Sequence, residues 1–114
     1  MTDKELLELA AKAYGISGAY VRVDQAYGDQ WVEGIDTGAP VFWNPLTDDG
    51  DALRLAVKLR LDIMPGHNFQ EASNRDDTAA SQEPDGDDPC AALRRAITRA
   101  AAEIARTTDT GGEA

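Results

Sequence analysis

The sequence predicts an α+β domain: three helices packed on a small antiparallel sheet of about three to four short strands, with one long acidic flexible loop. Three observations carry this. Apolar residues recur at helical spacing near both ends of the chain, a glycine-punctuated section between them is rich in β-forming residues, and residues 70–88 hold no large apolar side chain. At 114 residues the chain suits one small domain, expected over 1–106, with a disordered tail at 107–114.

Thr2 to Tyr14 reads as the first helix. Thr2 and Glu5 fit a capping box, Leu6, Leu9, Ala10 and Ala13 share a face, and Gly15 is a natural C-terminal cap. Short strands are expected at 19–24, 30–35 and 40–43, forming a meander with turns at Tyr27-Gly28-Asp29-Gln30 and Asp36-Thr37-Gly38.

Val41 to Ile63 holds the densest large hydrophobic side chains, so the core is expected there. Its second half fits two periods. Leu53, Leu55, Val57, Leu59, Leu61 and Ile63 alternate like a strand, whereas Ala52, Leu55, Ala56, Leu59 and Ile63 follow a helix. A cap at Thr47 or Asp48, the aspartates beside it, and the Ala, Leu, Lys and Arg content favour a helix over about 49–60. A strand at 61–64 follows, ended by Pro65-Gly66.

Residues 70–88 are expected to stay a flexible loop, because so little apolar surface cannot offset the entropy of ordering. Asp88-Pro89 then starts the last helix, with Leu93, Ala96, Ile97, Ala100, Ala101 and Ile104 on one face. That alanine-rich face permits close packing within a monomer or across a homodimer.

The net charge is −10, and residues 71–88 carry seven acids against one base. Such a surface repels nucleic acid and anionic membranes, so neither is an expected direct partner. The opening residues hold no apolar signal segment and no run approaches a membrane span, so a cytoplasmic protein is expected. One cysteine, Cys90, and one histidine, His67, exclude an internal disulfide and a thiolate zinc cluster, and leave little for a nucleophile–base pair. The aspartates around Gly50 and Gly86 do not match the calcium-loop spacing. No enzyme, metal or cofactor is expected.

Two binding chemistries remain. Asp48, Asp49, Asp51, Asp85 and Asp87 form acidic clusters suited to a protein partner, although caps and solvated loops use the same residues. Arg94, Arg95, Arg99 and Arg106 share the last helix, where Arg94, Arg95 or Arg99 with Trp31 or Tyr27 suits a phosphate-bearing small ligand, although such a face is more often merely solvated.

The run Trp43-Asn44-Pro45-Leu46-Thr47-Asp48-Asp49-Gly50-Asp51-Ala52-Leu53-Arg54-Leu55-Ala56-Val57-Lys58-Leu59 resembles small proteins of tailed, mostly temperate bacteriophages. The opening Met1–Ala13 and the exit Asp88–Ile97 share this likeness, and together they resemble the phage ABA-sandwich family. That resemblance implies helices against a small antiparallel sheet and a phage or prophage origin; it transfers no catalytic residue. The expected function is a phage accessory protein that binds a host cytoplasmic protein through its acidic surface, in the manner of an anti-defence (anti-CRISPR-type) inhibitor. The alternative is a nucleotide-signal sponge using the arginine face.

Overall fold

Local chemistry sets the helix boundaries. In the computed structural model, which describes residues 1–24 and 31–112 and side-chain surroundings as far as Thr107, α1 spans Asp3–Tyr14. Thr2 Oγ1 accepts from the Glu5 amide at 3.1 Å, and Gly15, at φ 90°, closes the helix with its N–H on Ala11 and Lys12 carbonyls. α2 spans Asp49–Leu59, capped by Asp48, whose carboxylate accepts from the Asp51 amide at 2.8 Å. α3 begins at Pro89, with Asp88 Oδ1 accepting from the amides of Cys90 and Ala91. Its helical backbone runs to Gly112, past the end expected at 106.

The strands form two sheets rather than one. β1 (Ala19–Asp24) and β2 (Trp31–Asp36) make an antiparallel ribbon, while β3 (Asp62–Pro65), β4 (Phe69–Ser73) and β5 (Ala80–Pro84) make a three-stranded antiparallel sheet in that order. The strand expected at 40–43 is reduced to a single bridge, Trp43 to Ile35, made by two 2.9 Å backbone bonds. The turn expected at 27–30, with Tyr27, lies outside the described residues.

The expected loop at 70–88 is the clearest correction. Most of it is the β4–β5 hairpin, and its small side chains are the reason it folds. Ala72 and Ala79 are buried, and β4 and β5 pack on α3, whose Ala96, Ala100 and Ala101 are buried in turn. Alanine on both surfaces lets backbones approach closely, so ladder hydrogen bonds and tight packing replace bulky side chains. Buried Gln70 adds polar pinning, donating to the Gly66 carbonyl at 3.0 Å and to Asp85 at 2.7 Å.

The core is likewise not confined to 41–63. α3 is the central element: α1, α2 and the three-stranded sheet pack on it, and the ribbon packs on α1. Leu7, Ala10 and Ala11 of α1, Ile35, Trp43, Leu55 and Ala56, and the α3 alanines form one cluster. Trp43 stacks on Tyr14 with centroids 5.6 Å apart. The alanine face of α3 is thus used inside the protomer.

Asn44 ties the irregular segment to its surroundings. Nearly fully buried, it donates its side-chain amide to Glu33 O at 3.0 Å and accepts from Leu46 N at 2.9 Å, while its own N–H reaches Asp51 at 3.0 Å.

Candidate functional site

The helical solution for residues 49–59 leaves apolar side chains over. Leu55 and Ala56 turn inward, but Leu53 and Val57 are 59% and 60% exposed. These are two members of the competing alternating pattern. One turn apart on α2, they form an apolar strip that the core does not use.

Beside that strip a groove of about 210 Å³ separates α2, β3 and the start of α3. Ala52, Leu53, Ile63, Cys90, Leu93 and Ile97 give it an apolar wall, completed by Asp49 and Arg94. Leu93 and Ile63 are only partly buried, so the groove opens to solvent.

Arg94 positions the acids around this groove. Its Nε donates to the Leu46 carbonyl at 2.9 Å, one terminal nitrogen meets Asp49 at 2.6 Å, and the other lies 4.0 Å from Asp88. The Arg94 side chain is 17% exposed while that of Asp49 is 80% exposed. A largely covered guanidinium therefore clamps the N-termini of α2 and α3 together. Two acidic clusters, 48–51 and 85–88, which are far apart in the chain, meet at one end of the molecule.

Within the first cluster, Asp48 caps α2, and Asp51 holds Asn44 N–H and receives Arg54 at 2.7 Å. The hydrogen bond to Asp51 raises the Arg54 pKa above its usual value. In the second, Asp85 accepts from Gln70, Asp88 caps α3, and Asp87 is exposed. Asp85, Asp87 and Asp88 also flank a shallow hollow on the other side of the α3 start, shared with Glu83 and Arg95. Arg54 and Arg94 between them meet four aspartates, at 48, 49, 51 and 88, so the rim stays negative. The capping signal was legible in the sequence; the convergence was not, because Arg94 joins residues that no local spacing relates.

The arginines of α3 do not act together. Arg94 faces α2, whereas Arg95, Arg99 and Arg106 line a separate cleft of about 480 Å³ with Met1, Leu6, Ala102 and Glu103. Each of these three has a carboxylate: Arg95 with Asp3 at 3.1 Å, Arg99 with Glu83, and Arg106 with Glu103 at 3.1 Å. Trp31 is not part of that cleft. It stands half exposed on the ribbon, with the Arg22 guanidinium 4.1 Å from its ring centroid.

Cys90 is exposed in the first turn of α3, and His67 sits in the β3–β4 turn; among the described residues no hydrogen bond joins them. Among the described residues, no group of three His, Cys, Asp or Glu side chains is arranged to hold a metal ion, and no helix is long and apolar enough to cross a membrane. The architecture defines a small mixed α+β protein with two antiparallel sheets. Compared with protein-family models, curated proteins and solved structures, the chain matches none.

Proposed function

We propose that this is a non-catalytic binding protein of phage origin that engages a host cytoplasmic protein through the acidic-rimmed groove between α2 and α3. The observation that carries the reading is the Arg94 clamp, which sets exposed carboxylates beside exposed Leu53 and Val57. Apolar anchors desolvate and supply affinity, while a charged rim selects the partner and speeds encounter. The matching partner presents an apolar side chain flanked by lysine or arginine. A basic host factor, such as a nucleic-acid-binding defence component, has this chemistry. The likeness of Trp43–Leu59 to phage proteins supports the origin.

The test is retention of host proteins on immobilised wild type, Leu53→Arg and Asp49→Lys. One stoichiometric basic protein, weakened by salt and lost on both groove variants, is the expected result. The same partner retained equally by all three overturns the reading.

A second reading, a small anionic ligand, draws support from Arg95 and Arg99 lining one cleft. Arg95 and Asp3 form an exposed pair, and such pairs contribute only about 0–1 kcal/mol, so a phosphate can displace Asp3 at little cost. Calorimetry with a nucleotide panel decides it: binding lost in Arg99→Ala and kept in Leu53→Arg favours this cleft over the groove.

A further inference from the structure

We infer that β1 is a pairing edge for a second copy of this chain, joining two ribbons into one four-stranded antiparallel sheet. The inference is independent of the groove and rests on which backbone groups β1 leaves open.

Ile35 spends both its N–H and its C=O on Trp43. Directly opposite residues in an antiparallel ladder alternate between bonded and non-bonded pairs. Tyr20, opposite Ile35, is therefore in a non-bonded pair, and its backbone groups point away from β2. By the same alternation Arg22 and Asp24 point their N–H and C=O groups outward, while Val21 and Val23 bond to β2. Among the described residues no strand or side chain meets those outward groups.

The other edges are blunted. β2 is partly covered by the Trp43 bridge at Ile35 and by Asn44 on the Glu33 carbonyl, and β3 and β5 each end in a proline, Pro65 and Pro84. β1 holds no proline, and its charged residues are of opposite sign and two positions apart. Like charges on an edge repel a second copy; this pair attracts one in a single register. With a two-fold axis through Val23, Arg22 lies opposite the second copy's Asp24 twice over. Val23 then meets its counterpart as a close non-bonded pair, and the row Val32–Val23 on the exposed face continues across the junction. A register centred on Arg22 sets two guanidiniums face to face, and one centred on Val21 leaves Asp24 without a cation. Charge complementarity therefore selects a copy of this chain over an arbitrary strand.

An interface this short is weak, so the dimer should form from micromolar to roughly millimolar concentration. Sedimentation over that range is expected to show a reversible monomer–dimer equilibrium. Arg22→Asp or Asp24→Arg should each weaken it about tenfold, and the two together should restore it. In a Cys90→Ser background, Val23→Cys should oxidise to a disulfide-linked dimer, since such pairs bring Cβ atoms within about 4.5–5.5 Å. Val21→Cys should not, because the axis leaves its counterpart about four residues away along the strand, roughly 13 Å. A monomer throughout with no Val23→Cys cross-link overturns the inference, as does cross-linking by Val21→Cys alone.

Discussion

The β1–β2 ribbon and the β3–β5 sheet are both small and antiparallel, yet they are held by opposite means. The ribbon uses large side chains: Tyr20, Ile35 and Trp31 on one face, and Val21, Val23 and Val32 on the other. Its outer half stays open, with Val23 and Trp31 half exposed. The β4–β5 hairpin uses almost none. Ala72 shares one cluster with the alanines of α3, β4 and β5 both lie on that helix, and buried Gln70 bonds to Gly66 and Asp85. Bulk thus gives the ribbon strand propensity without full burial, while smallness gives the sheet full contact without an obvious strand signal. A residue's size marks where it buries surface only if the facing element is known.

The largest expected effect comes from spoiling that small-on-small contact. Ala100 has no exposed surface, so Ala100→Leu should force α3 off its neighbours and destabilise the protein by about 3 kcal/mol. A lower urea midpoint at unchanged slope checks this; a loss below about 1 kcal/mol would mean the packing is looser than described.

This difference also sets what could be read from the chain. The helices were legible because capping is local: Thr2, Asp48 and Asp88 each satisfy amides two or three residues on. β1 and β2 were legible from their β-branched and aromatic residues. The hairpin at 69–84 was not, because the surface it packs on belongs to α3, and its own apolar area alone cannot offset the entropy of ordering. Of the candidate site, the separate acidic clusters and the arginine face were visible. Their regrouping was hidden, since Arg94 leaves Arg95 and Arg99 for the α2 side by its angular position on α3 and a contact 45 residues away.

Gly34→Ala should break the ribbon alone. A Cβ there falls 2.7 Å from the Trp43 carbonyl, at a φ of 155°, so the segment 42–44 must shift. About 2 kcal/mol of stability should go. Hydrogen exchange should rise in β1 and β2 but not in β4 and β5; equal acceleration in both would show the two sheets to be one cooperative unit.

Gln70→Ala should mark the polar pin of the other sheet. It removes the bonds from a buried side chain to Gly66 and Asp85, at about 1.5 kcal/mol. Faster exchange in the β3–β4 turn, with the ribbon unaffected, is the expected signature. A loss spread evenly over both sheets would contradict it.

The smallest effect belongs to Tyr20, and it appears only in alkali. Its phenol donates to Glu33, and that bond, with loss of hydration and the nearby Glu33 charge, raises the Tyr20 pKa above the usual tyrosine value. A raised folded pKa favours the protonated form in the native state. The contribution is therefore complete below the unfolded pKa and is lost as pH rises through the folded one. The stability gap between wild type and Tyr20→Phe should stay flat through neutral pH and shrink only in the alkaline range. Phenolate absorbance, taken as the difference between the two proteins, should give a transition above that of a free tyrosine. A gap that instead stays unchanged through the alkaline range would remove the phenol's proton from the account of how the ribbon is held.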